Sequence, residues 1–254
     1  MKKIKVLVFI IIFPYFAYSQ QWHQYSDSIR KITSVKYNQS DLDRALKFVE
    51  LADNDFKKIN VKKDTIYADY LYRKGTTLYF SKQLFPELFE ESLTIWEQSL
   101  EKNYFKIMKI HYFLAEVYNV KNDYKKAYIN YEYCYLINKK YRLPKNTYFT
   151  SSIYCLSVID YKENLNYRKA EQYANEYIEH NKENAYLNYD FNYAYAFRWK
   201  EDPEGYENVL LEFRKNYENG KLNNPQLFFQ INFELFTYYY KIKNIKEIDR
   251  KSVV

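Results

Sequence analysis

The chain has 254 residues, 47% of them hydrophobic and 28% charged, enough to bury a sizeable core. Its formal charge of +7 includes three lysines at the extreme N-terminus, and the smaller excess left behind alternates with Glu and Asp, without an arginine cluster, which argues against a nucleic-acid partner. Three glycines and five prolines leave little room for tight turns or coil, so the segments rich in Leu, Ile, Tyr, Phe, Lys, Glu and Asn point to helices joined by short polar connections.

Residues 1–19 read as a leader for export. Lys2, Lys3 and Lys5 precede an apolar run from Val6 to Phe16, and Ala17 and Ser19 supply small residues for cleavage before Gln20. The run is short for a permanent membrane anchor, so no stable span is expected after cleavage. No cysteine follows the cleavage point, and a lipid anchor is not indicated. The expected location is periplasmic or secreted, in a bacterial cell.

Internal repetition organises the rest. Leu42, Ala45, Val49 and Ala52 share one helical face, after a first helix from about Ser26 to Tyr37. Gly75 and Leu78 mark a second such pair, followed past Pro86 by Phe89, Ser92, Trp96 and Leu100. The clearest copy is the third, where Ala115, Tyr118, Asn122, Tyr124, Ala127, Tyr131 and Cys134-Tyr135 alternate small, aromatic and turn residues. Val158, Tyr161, Tyr167, Ala170, Ala174 and Tyr177 repeat it. A weaker fifth copy places Tyr206, Val209, Phe213 and Asn216 after a helix from Tyr186 to Trp199. A sixth has one helix from Phe228 to Lys241 and another from Ile245 to about Arg250.

This spacing resembles the tetratricopeptide repeat (TPR), two antiparallel helices of about 34 residues. The resemblance covers roughly residues 23–250, with repeats at about 23–59, 66–104, 105–141, 147–182, 185–219 and 226–250. It implies an all-α fold, a right-handed superhelical solenoid of antiparallel helix pairs. It also implies that most tyrosines pack helix on helix. In such repeats the first helices line a concave face that takes extended peptides or partner helices. Registered on the small residue of each repeat, that face holds Asp69, Tyr72, Thr76, Tyr79 and Phe80 in repeat two. Repeat three contributes Lys109, Tyr112, Glu116, Asn119 and Val120, and repeat four Ser152, Cys155, Ile159, Lys162 and Glu163. TPR domains that clamp a terminal carboxylate carry Lys and Asn on successive turns; Tyr72 and Thr76, then Tyr112 and Glu116, stand there instead.

Nothing in the motifs points to an enzyme, a metal or a cofactor. His23, His111 and His180 are the three histidines, with no two at ligand spacing, and His111 falls at a packing position. No G-x-S-x-G, H-E-x-x-H or phosphate-binding glycine loop occurs. Cys134 and Cys155 fall on helices that neighbour each other in a TPR stack, either as a disulfide permitted by export or as two buried thiols. Trp96 replaces a usual second-helix aromatic and is expected in the core. The sequence leaves little of a polar capping helix, so the chain either caps poorly or resembles the TPR front half of a larger exported regulator. The expected function is a non-enzymatic scaffold or sensor that binds an unidentified protein or peptide, with self-association left open. The alternative is a structural spacer or a detached regulatory fragment of a signalling protein or enzyme.

Overall fold

Side-chain caps start the helices. Asp64, Asn103, Asp123, Asn146 and Asp202 each accept a hydrogen bond from a backbone N–H in the first turn that follows, satisfying donors that a helix start leaves unpaired. Pro86 opens one more first turn, and Pro203 follows the Asp202 cap, both at positions where a missing N–H costs nothing. A computed structural model describes residues 28–29, 39–56, 63–144, 146–188, 191–220 and 224–252. The leader at 1–19 and most of the first helix expected for repeat one lie outside the described residues.

The elements are α1 (Gln39–Phe56), α2 (Thr65–Phe80), α3 (Pro86–Gln98), α4 (Tyr104–Val120), α5 (Tyr124–Tyr141), α6 (Thr147–Lys162), α7 (Tyr167–Asn188), α8 (Phe191–Trp199), α9 (Pro203–Glu218) and α10 (Pro225–Ser252). They form two compact bodies divided between Pro144 and Lys145. In the N-terminal body α1 to α5 pack each on the next, and α2 also touches α4. In the C-terminal body α6 to α10 do the same, and α6 also touches α8. The pairs α2–α3, α4–α5, α6–α7 and α8–α9 are repeats two to five.

Two boundaries differ from expectation. The first helix of repeat five is the short α8, because α7 runs on to Asn188 with no Gly or Pro to stop it. Likewise α10 continues unbroken to Ser252, where the sequence reading divides it in two; no Gly or Pro lies within it after Pro225.

A shared frame relates the pairs. Five residues before each first helix ends stands a buried small residue: Gly75, Ala115, Ser157 and Ala194. Three residues into each second helix stands a buried partner position: Phe89, Ala127, Ala170 and Tyr206. In repeat two a glycine answers a phenylalanine. A Cβ on Gly75 would lie 2.7 Å from the Phe89 ring, so the absent side chain makes the space the ring fills.

The turn lengths decide which residue is the small one. In repeats two, three and five, Lys82, Asn122 and Glu201 take left-handed φ angles of 64°, 60° and 57°. The next N–H, of Gln83, Asp123 or Asp202, then reaches the carbonyl five residues back. In repeat four Leu165 takes that conformation, and Asn166 N–H reaches the carbonyl of Asp160, six residues back at 2.8 Å. The turn of repeat four is thus one residue longer than that of repeat three. Ser157, fully buried, takes the small position there, and half-buried Val158 does not.

Replacing Gly75 with Ala is expected to destabilise the N-terminal body by about 1–3 kcal/mol, because overpacking against Phe89 outweighs alanine's helix advantage of about 1 kcal/mol. Phe89→Leu in the same chain should recover part of the loss in urea unfolding. A Gly75→Ala protein as stable as the original would refute the contact.

Candidate functional site

In the N-terminal body, α2 and α4 bring together the residues that the repeat frame assigns to the ligand face. They bond to one another. Lys106 Nζ lies 2.5 Å from Asp69 Oδ2, and Lys109 Nζ sits 5.4 Å above the Tyr72 ring. Tyr79 Oη donates to Glu116 Oε2 at 3.0 Å, and Tyr131 of α5 donates to Glu116 Oε1 at 2.6 Å. Two of these links join residues 37 apart, so each reaches one helical turn short of the repeat-equivalent position.

Beneath them Tyr72, Tyr79 and Phe80 meet the edge of Phe113, which stacks on Phe89 at 6.1 Å. Tyr112 also packs edge-on against Phe113. Thr76 is buried and donates to the Arg73 carbonyl, which takes it off the face. Asn119 is half-buried and Val120 exposed. Burial, reinforced by Arg73, lowers the pKa of Lys109, as expected of a cation withdrawn from water.

Repeat four requires a correction. Ser152 and Ile159 are buried at 0% and 4% exposure, so neither faces a ligand. The extra turn residue accounts for the slip. With Ser157 as the small residue, the outward positions become Ser151, Tyr154, Val158 and Tyr161, all half-buried. Cys155 is half-buried, Lys162 and Glu163 are exposed, and Lys162 Nζ lies 5.0 Å over the Trp199 ring. Cys134 is buried, and both cysteines are thiols.

The C-terminal body holds a cavity of about 440 Å³ that sequence reasoning missed. Tyr161 of α6, Arg198 of α8 and Tyr238 and Lys241 of α10 line it, together with Glu201, Asp202 and Tyr206. The Arg198 guanidinium carbon lies 5.8, 5.7 and 5.5 Å from the ring centres of Tyr195, Trp199 and Tyr206. Glu234 accepts from Tyr195 Oη at 2.6 Å and from Tyr206 Oη at 2.7 Å. Burial first, then the bond to Glu234, pushes both tyrosines well above the usual phenol pKa, so both stay protonated donors.

Asp202 is spent on capping α9, at 2.8 Å from Gly205 N, and on Lys200 at 3.4 Å. Among the described residues no carboxylate forms an ion pair with Arg198. A planar cation resting on aromatic rings, with Asp202 and Glu234 already engaged, is equipped to take a carboxylate in bidentate fashion. Arg198 and Tyr161 both lie four residues beyond the small residue of their repeats. The signal in the sequence was therefore the Ala194 frame position, set by the start of α9 at Pro203.

His111 is structural. It is 5% exposed, stacks 5.0 Å from Tyr133 and lies 2.9 Å from Asn130 Oδ1. Asn130 donates its own amide to the Lys126 carbonyl, so its oxygen takes the Nδ1–H of a neutral ring. Trp96 is buried, as expected. Among the described residues no group of His, Cys, Asp or Glu could hold a metal ion, and no helix is long and apolar enough to cross a membrane.

No family profile and no curated protein matches the chain. Solved structures do. The nearly identical TPR-like repeats of a Podosopora anserina protein classed as a kinesin light chain match at a TM-score of 0.60 and 14% identity, over 81% of this chain and 98% of that one. The apo form of RapI matches at 0.61 and 13%, over 91% and 87%, and BtubC (BKLC) from P. vanneervenii at 0.53 and 16%, over 91% and 86%. These likenesses show the fold: all-α, built from TPR-like antiparallel helix pairs.

Burial lowers the pKa of His111, and its bond to Asn130 and the charge of Glu97 offset this only in part. Stability is therefore complete above the unfolded value of 6.5, and falls as pH drops below it and the unfolded chain takes a proton that the folded chain refuses. Between about pH 7 and 5.5 the protein should lose more stability than its His111→Gln variant in urea unfolding. Equal losses would contradict a buried neutral imidazole.

Proposed function

We propose that the chain is a protein-binding module that takes an acidic segment of a partner polypeptide into the cavity around Arg198. The observation that carries this reading is a guanidinium without an ion pair among the described residues, held on three aromatic rings at the first-helix face, beside a Glu234 already committed to two tyrosines. A peptide carboxylate would complete the guanidinium, and an adjoining side chain would rest on Tyr161 and Tyr238. The TPR-like fold supports the reading, since open stacks of helix pairs present extended surfaces to partners. Export through residues 1–19 belongs to the same proposal and places the partner outside the cytoplasm.

The N-terminal body favours a second, complementary reading. There the equivalent residues of α2 and α4 satisfy one another, which suits a structural spacer without a specific ligand.

Selection of a random peptide library on the purified protein tests the first reading. Peptides with Asp or Glu should be enriched, and Arg198→Met should weaken the best of them by about ten- to a hundredfold, as expected for a lost charge-assisted pair. A Tyr72→Ala/Tyr112→Ala protein should bind them unchanged. No enrichment, or binding unaffected by Arg198→Met, would overturn the proposal.

A further inference from the structure

The outer face of α10 has no counterpart elsewhere in the described structure. Phe229, Phe233, Phe236 and Tyr240 are 72%, 53%, 66% and 59% exposed, and their spacing sets them in one stripe along the helix. The rings stack pairwise, Phe229 with Phe233 at 6.3 Å and Phe236 with Tyr240 at 6.2 Å. Between Pro225 and Tyr240 a single charged residue occurs, Glu234, and both its oxygens are held by tyrosines of α8 and α9. The stripe is therefore free of charge along this length. By contrast Ile129, Tyr133 and Leu136 of α5 are also exposed, but Glu132 lies among them and Lys125, Lys126, Lys139 and Lys140 flank them. Apolar exposure without interspersed charge marks the core of an interface.

We propose that two copies of this chain pair through α10, antiparallel and about a two-fold axis. The spacing of the four rings is four, three and four residues, which reads the same in both directions. Reversed against itself, the stripe sets Phe229 opposite the second copy's Tyr240 and Phe233 opposite its Phe236. Such self-complementarity is what an isologous interface requires. Each aromatic side chain offers about 200 Å², so the stripe withdraws roughly 500 Å² per copy and about 1,000 Å² in all, the lower limit for a specific pair. The pairing also supplies α10 with an antiparallel partner helix, the arrangement found within each repeat. Glu234, Tyr238 and Lys241 line the cavity from the same helix, so pairing through the stripe leaves the peptide site independent.

Sedimentation equilibrium on the purified protein, from about 1 to 100 µM, decides the matter. The expected result is a dimer of twice the chain mass whose dissociation constant rises at least about tenfold in Phe233→Lys/Phe236→Lys. If that variant is misfolded, Phe229→Lys replaces it, because the most exposed ring can be changed without disturbing the core. Arg198→Met should leave the dimer intact, which separates this test from that of peptide binding. A wild-type monomer at 100 µM overturns the proposal, as does a dimer indifferent to both α10 variants, because the stripe would then belong to another occupant or to none.

Discussion

The tyrosine hydroxyl donating to a carboxylate on a neighbouring helix is the interaction on which this structure depends. With 32 tyrosines the chain fills its helix interfaces with rings that carry a polar tip. A buried ring contributes a large apolar area, but an unpartnered hydroxyl costs about 1–3 kcal/mol and cancels much of the gain. The chain answers with acids. Tyr70 finds Asp53, Tyr118 finds Glu90, Tyr79 and Tyr131 share Glu116, and Tyr195 and Tyr206 share Glu234. Each bond fixes one helix against another at a definite turn, which aliphatic packing alone specifies less sharply. Where Lys74 joins Asp53 beside Tyr70, the clasp gains a cation as well.

The same interaction is used differently in the two bodies. On α2 and α4 the outward acids, lysines and tyrosines are consumed by each other, and the face is closed on itself. In the C-terminal body the clasp at Glu234 engages Tyr195 of α8 and Tyr206 of α9, and among the described residues no carboxylate pairs with the Arg198 guanidinium that rests on them. The carboxylate therefore does two things there. It supports the aromatic shelf, and by being fully occupied it forms no ion pair with the guanidinium, as the proposed peptide site requires. Glu234 also turns the one charge of its stretch of α10 inward, which leaves the aromatic stripe bare on the opposite side.

Much of the fold was legible in sequence because small residues and aromatics recur at helical spacing, and because Asp or Asn caps mark the helix starts. Ala115, Ala127, Gly75 and Phe89 could be placed directly. The register of repeat four was not legible. Its turn carries one additional residue, with Leu165 in a conformation more usual for glycine, and counting back from Ala170 lands on Val158 instead of Ser157. That single step turned Ser152 and Ile159 into expected ligand contacts when they are core. Arg198 was hidden for a different reason. An exposed arginine beside Tyr195 and Trp199 on a short helix looks ordinary until Tyr206 of α9 and an occupied glutamate of α10 join it, and that arrangement exists only in three dimensions.

A double-mutant cycle between Tyr131 and Glu116 tests the central claim most directly. Tyr131→Phe, Glu116→Ala and the double variant would be compared by urea unfolding, following the transition of the N-terminal body. The clasp predicts a coupling of about 1.5–3 kcal/mol, the range of hydrogen bonds to charged groups. A coupling below about 0.5 kcal/mol would show that the two side chains act independently, and that ring packing alone holds the helices together.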